Sequence, residues 1–219
     1  MEYLNHNLER LRRSNPALAA SIQDSSGGIL TIASSREGAP SATHGGQWIH
    51  SAYDPRKEAG SWAEQQIGEW KIGEVGVVLG VGLLYHVEAL ALIKPPESRL
   101  AVVVPDVSVL KDAMGARPLE WWINTIQWMT GTPNEMAEQL ASQSAPLRFF
   151  TYGAAARLHA EKHQQLETSL RRIVARKAGG QLHVAVVGPI YGGSLPIARY
   201  VARALGDLGH RVTWIDHSV

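Results

Sequence analysis

The spacing of hydrophobic positions changes several times along the chain, and each change marks an element. Tyr3, Leu4, Leu8 and Leu11 recur on one helical face, and Asn15 with Pro16 ends that helix. Gly27 and Gly28 introduce a short strand-like run, Ile29 to Ala33. The stretch SSREGAPSATHGG reads as a loop, and Gln47 to Ser51 as the return strand of a small antiparallel pair. Asp54 and Pro55 open the next helix: an aspartate there accepts a free backbone N–H, and proline has none to leave unpaired. Ala59, Trp62, Ala63 and Ile67 supply its apolar face.

From residue 75 the pattern becomes a regular alternation. Val75 to Leu79 has no polar side chain, as a parallel strand buried on both faces requires. A glycine turn follows, then a helix to Ile93 stopped by Pro95 and Pro96, a strand from Leu100 to Val104, and a helix from Val107 to Met114. A short strand is read near Thr125 in the tryptophan-rich segment. Thr132, Pro133 and Glu135 form a capping box for a helix through Leu140, and Leu147 to Thr151 is another strand. A long helix runs from Ala155 to Lys177 and ends at Ala178, Gly179 and Gly180.

The alternation then restarts: a strand from Leu182 to Val187, a glycine-rich turn from Gly188 to Ser194, a helix from Leu195 to Leu208, and a strand from Arg211 to Ile215 closed by Asp216. The pattern predicts an α/β fold: a Rossmann-like parallel sheet with a small N-terminal α+β cap and the first β-α-β of a second Rossmann unit. Residues 1–52 form the cap, 53–178 the Rossmann-like domain, and 181–219 the incomplete second unit. A lone β-α-β buries too little surface to be a domain, so the last segment reads as the start of a longer protein or as an addition to the first sheet.

Composition narrows the function classes. Of 219 residues, 45% are hydrophobic and 19% charged, which is ample for a core. Twenty-one basic against 20 acidic side chains leave a formal charge of +1, which gives no electrostatic pull toward nucleic acid or an anionic membrane. The absence of cysteine removes disulfides and thiolate metal sites and suits a reducing compartment. No stretch approaches the ~20 apolar residues of a membrane span. The N-terminus lacks the apolar core of a signal peptide. The chain reads as cytoplasmic.

Two turns carry candidate chemistry. In GVGLLYH, Gly80 and Gly82 let a ligand approach the backbone, and Tyr85 and His86 open the helix whose N-terminal N–H groups face an anion. Tyr85 occupies the third glycine position of the G-x-G-x-x-G fingerprint, and Asp106 lies just past the next strand, where a ribose-binding acid belongs. In GPIYGGS, Gly188, Gly192, Gly193 and Ser194 suit a phosphate-contacting loop, with Asp216 at the end of the following strand. Both glycine sets equally serve tight strand–helix packing. His50, Ser51, Tyr53, Asp54 and Glu58 form a polar cluster without a nucleophile and its base. His159 and His163 stand four apart on a helix, a metal-ligand spacing without a third ligand. Arg171, Arg172, Arg176 and Lys177 read as a solvated helix end.

The string IHSAYDPRKEA, followed by VVLGVGLLYH and VVVPD, resembles the central region of the motility-associated factor (Maf-like) proteins over Ile49 to Met114. Those proteins are linked to flagellin glycosylation, and their core is similar to methyltransferases and to a pterin diphosphokinase. Leu84 stands in place of the family's glycine and Val104 in place of a glutamate. The tail, VAVVGPIYGGSLPIARYVARALGDLGHRVTWID, is similar to the opening β-α-β of CgeB-like glycosyltransferases of the two-Rossmann (GT-B) type. The resemblances imply the N-terminal portion of a glycosyltransferase-like protein, inactive at this length. A nucleotide-sugar would be bound only in the longer protein, and the partners would be an acceptor protein or glycan and further copies of the chain. Two rivals stand beside it: a methyltransferase-like or diphosphokinase-like nucleotide site at Gly80, Gly82 and Asp106, and a non-catalytic module that binds an acceptor protein or assembles a dimer.

Overall fold

The computed structural model of the chain describes residues 2–179, 182–187 and 197–215. The N-terminal region contains helices α1 (Glu2–Arg12) and α2 (Pro16–Asp24) and an antiparallel sheet of β1 (Thr31–Ser34), β2 (Pro40–His44) and β3 (Gln47–Trp48), in the order β1-β2-β3. Then come α3 (Pro55–Ile67), β4 (Val75–Leu79), α4 (Tyr85–Ile93), β5 (Arg99–Val104) and α5 (Val107–Ala116). A 3-10 turn, Trp121–Thr125, leads into β6 (Ile126–Thr130), followed by α6 (Pro133–Ala141), β7 (Leu147–Thr151) and the short α7 (Gly153–Ala156). The chain continues through α8 (Ala160–Gly179), β8 (His183–Val187), α9 (Ile197–Asp207) and β9 (Arg211–Ile215).

Several stretches differ from the sequence reading. Pro16–Asp24 is a helix where none is read, the return strand expected over Gln47 to Ser51 is only Gln47–Trp48, and the strand expected near Thr125 begins at Ile126, after a 3-10 turn. Pro40–His44, inside the expected loop, is a strand. Its small side chains lack the β-branched signature of strands, but Ser41 and Ala42 are buried, and Ser41 Oγ donates to the His50 carbonyl at 3.1 Å. The helix expected from Ala155 begins instead as α7 and a 3-10 turn before α8.

The chain forms two compact units: Met1–Thr132 with Gln143–His163, and Pro133–Ser142 with Gln164–Val219. In the first, four parallel strands lie in the order β6-β5-β4-β7. Numbered by appearance within the sheet, that order is 3-2-1-4, the Rossmann arrangement, and the fold is Rossmann-like α/β. Central β4 registers Val75 against Arg99 of β5 and against Leu147 of β7. Val75, Val77 and Val78 are fully buried, as a strand covered on both faces demands.

The N-terminal region shares this core, where Leu8, Leu11, Ile22 and Ala42 pack with residues of the sheet and its helices. Two polar clasps fix it. Buried Asn7 donates from Nδ2 to the carbonyls of Met114 and Arg117, both at 2.8 Å, and its Oδ1 accepts from Leu119 N–H at 2.9 Å. Asp112 accepts from the N–H groups of Gly28 and Leu30 at 2.6 and 2.8 Å.

Within the second unit, β8 and β9 pair in parallel from His183↔Arg211 to Val187↔Ile215. Arg172 Nη2 lies 3.6 Å from Asp207 Oδ1 and Arg171 pairs with Glu167 one turn away, so these two arginines are engaged locally. The side chains of Arg176 and Lys177 lie outside the described residues. Among the described residues, no helix is long and apolar enough to cross a membrane.

Candidate functional site

In a sheet of this order, ligands bind at the carboxyl ends of the strands where the winding reverses, here between β4 and β7. Gly80 follows β4 there, and Tyr152 follows β7. Gly80 and Gly82 have φ of 99° and 49°, so both use conformations open to glycine. The space beside them is occupied by protein. A Cβ on Gly80 would stand 2.6 Å from Ala156 N and 2.8 Å from the Tyr152 carbonyl oxygen. One on Gly82 would stand 2.5 Å from His50 Nε2. Leu84 is fully buried with φ 67°.

Two of the turn's polar groups are taken up internally, while Nδ1 of His50 and of His86 is buried without a hydrogen-bond partner among the described residues. Leu83 N–H donates to His50 Nε2 at 2.7 Å. His86 Nε2–H donates to the Gly80 carbonyl at 2.5 Å. The His86 and Tyr152 rings stack with centroids 4.3 Å apart, His50 stacks on Tyr152 at 5.3 Å, and Trp62 meets His86 and Tyr152 edge-on. Glu58 closes the cluster: one carboxylate oxygen accepts from Tyr152 Oη–H at 2.9 Å and from Ser51 N–H at 2.8 Å.

Burial sets the protonation states. It lowers the pKa of His86 to about 3, although the hydrogen bond to Gly80 opposes it, and burial followed by the nearby His86 and Arg117 charges holds His50 well below its usual range. The Tyr152 phenol is raised by burial and then by Glu58. At neutral pH the cluster therefore holds two uncharged imidazoles and a protonated phenol, none poised to exchange a proton. Its role is to fill and hold the turn.

The other expected residues are dispersed. Asp106 caps α5, accepting from Ser108 N–H at 2.9 Å. Asp54 caps α3 through the N–H groups of Arg56 and Lys57, and Tyr53 is exposed beneath the Arg36 guanidinium. His163 Nδ1–H donates to the Ala156 carbonyl at 3.1 Å, and no cluster of three metal-binding side chains occurs among the described residues. Gly188, Gly192, Gly193, Ser194 and Asp216 lie outside the described residues.

Tyr85 belongs to a neighbouring site that the sequence did not signal. Its hydroxyl donates to the Pro40 carbonyl at 2.8 Å, and the Arg117 guanidinium lies 4.0 Å over its ring. Arg117 is buried, pairs with Glu88 and donates from Nη1 to the Leu83 carbonyl at 3.3 Å. Glu88 also accepts from Trp122 Nε1–H at 3.2 Å. Arg117→Ala removes the charge partner of a largely buried carboxylate and the cover over Tyr85. Because Glu88 retains some solvent access, the expected cost is about 2–3 kcal/mol, read as a lower urea midpoint. Arg117→Ala/Glu88→Gln is expected to regain part of that loss, since no carboxylate is then left unpaired.

No known family profile matches the chain, and no curated protein matches it. Among solved structures, its fold is similar to that of a Maf glycosyltransferase from Magnetospirillum magneticum AMB-1, with a TM-score of 0.54 and 15% identity. The similarity covers 98% of this chain and 46% of that one, so this chain spans under half the length of the protein it resembles.

Proposed function

We propose that this chain is the N-terminal portion of a glycosyltransferase-like protein, inactive by itself, whose first unit is a cytoplasmic scaffold for an acceptor protein or glycan. Nucleotide-sugar binding and transfer chemistry would belong to the longer protein. The fold likeness to a Maf glycosyltransferase supports the class. The expected continuation into a CgeB-like half rests on the tail's sequence.

The observation that carries the scaffold reading is the filled turn. A dinucleotide or S-adenosylmethionine needs open backbone at the first glycine turn and an acid for the ribose. Here His50 uses the Leu83 N–H, Tyr152 and Ala156 abut Gly80, and one oxygen of Asp106 is engaged at a helix cap.

Calorimetric titration of the chain with S-adenosylmethionine and common nucleotides is expected to show no saturable binding below the millimolar range. Micromolar binding lost in Asp106→Ala would establish the methyltransferase-like or diphosphokinase-like rival instead. Asp106→Ser retains an N-cap and so separates loss of a ribose contact from loss of the cap, which costs about 1 kcal/mol.

A further inference from the structure

Helix α1 and the 3-10 turn Trp121–Thr125 wall a cleft of about 470 Å³, lined by His6, Glu9, Arg10, Arg13, Trp121 and Asn124. The turn's two tryptophans have opposite surroundings. Trp122 is fully buried and its Nε1–H donates to Glu88 at 3.2 Å. Trp121 is 56% exposed, and among the described residues its ring takes part in no stacking or cation–π contact. An indole open to water in a cleft wall is an apolar face without a cover.

Charge does not select the ligand. Arg10 and Arg13 share the lining with Glu9, and Glu120 stands 3.9 Å from Arg10, so two guanidiniums are matched by two carboxylates. Hydrogen-bonding capacity does select it. Arg10 is engaged, with Nη2 3.4 Å from His6 Nε2. Glu9 and Arg13 form no ion pair among the described residues. Asn124 Oδ1 accepts from Ser14 Oγ–H at 2.9 Å, while Asn124 Nδ2 has no partner among them. The cleft thus sets unused donors and an unused acceptor beside one aromatic face, and its lining contains no aliphatic side chain.

A pyranose matches that combination. Each hydroxyl both donates and accepts, so carboxylate, guanidinium and amide all serve it, and a planar fork can bridge two neighbouring hydroxyls. The ring's C–H face covers an indole. An apolar or proline-rich peptide needs further aromatic or aliphatic walls, and a nucleotide's phosphates would meet matched charges instead of a basic patch. We propose that this cleft binds a neutral oligosaccharide, with one pyranose stacked on Trp121 and its hydroxyls held by Glu9, Arg13 and Asn124. The proposal rests on the acceptor-scaffold reading and selects glycan over protein within it. The site shares no residue with the filled glycine turn.

The chain is to be screened on an array of neutral and acidic oligosaccharides, and the strongest neutral binder titrated calorimetrically. Neutral oligosaccharides are expected to be retained. Trp121→Ala is expected to weaken the titrated one about tenfold or more, and Trp121→Phe less, because a stacking face remains. Asn124→Ala should weaken it about two- to tenfold, as the loss of one hydrogen bond does. Trp48→Ala, at a tryptophan 43% exposed outside this cleft, should leave affinity unchanged. Circular dichroism confirms that each variant is folded. Retention of no oligosaccharide, stronger binding of acidic than of neutral ones, or affinity unmoved by Trp121→Ala would each overturn the glycan site. Those results leave the scaffold reading standing for a protein acceptor, whereas nucleotide binding that depends on Asp106 removes the scaffold reading and leaves sugar binding at this cleft as measured.

Discussion

Gly80→Ala is expected to cost the first unit about 4 kcal/mol or more, a large share of the ~5–15 kcal/mol that keeps a domain folded. Two penalties coincide at this residue. An L side chain at φ 99° is strained, and the added Cβ would stand 2.6 Å from Ala156 N and 2.8 Å from the Tyr152 carbonyl oxygen. Those are backbone atoms with little freedom to retreat. Tyr152 N–H donates to the Leu79 carbonyl at 3.0 Å, while the Tyr152 carbonyl accepts from the N–H groups of Ala155 and Ala156 at 3.1 and 2.9 Å. Followed by circular dichroism, the melting temperature should fall by roughly 8–16 °C. Gly115→Ala is the control. That glycine lies in α5 with open space around its Cβ position, so the change should be neutral or stabilise by up to about 1 kcal/mol. Similar melting of the two variants would show that the β7–α7 connection does not bear on the turn.

The second large effect is expected on acidification. His50 and His86 both have folded pKa values below the ordinary 6.5, so the unfolded chain takes up protons that the folded one refuses. Stability is then fully present above about pH 6.5 and declines as the pH falls toward the folded values, about 3 for His86. The slope for each histidine grows to about 1.4 kcal/mol per pH unit below pH 6.5, so His86 alone should remove about 2 kcal/mol between pH 6.5 and 5, and His50 adds to the loss in the same direction. Urea midpoints at pH 7.5 and 5 measure this directly. His86→Gln should lower stability at pH 7.5 and roughly halve the pH dependence. A wild-type midpoint that stays constant across the interval would mean the imidazoles are hydrated and titrate normally.

The parallel strands were legible because burial on both faces leaves an unbroken apolar run: Val75–Leu79 emerged with the bounds read from the sequence, and Leu100–Val104 gained only Arg99. Caps were legible for the same local reason, as Asp54 before Pro55 shows. β2 was not, because Pro40–His44 is a strand through pairing and burial, with side chains typical of loops. The glycine turn was found, and its two uses could not be separated from local sequence. The choice depends on His50, which is 33 residues from Leu83 along the chain, and on Tyr152, which is far beyond the motif. Arg117 and Glu88 likewise meet only through the fold, 29 residues apart. Fold likeness to a Maf glycosyltransferase agrees with the resemblance carried by Ile49 to Met114 at the level of architecture.

The clasp made by Asn7 also imposes an order in time. Its three hydrogen-bonding partners lie 107 to 112 residues further along the chain, so α1 can pack against α2 long before the partners of its clasp are made. At about 5–20 residues per second, that interval is roughly 5–20 s. During it the apolar face of Leu8 and Leu11 has neighbours from α2 and none from α5. α1 is thus packed early and clasped late.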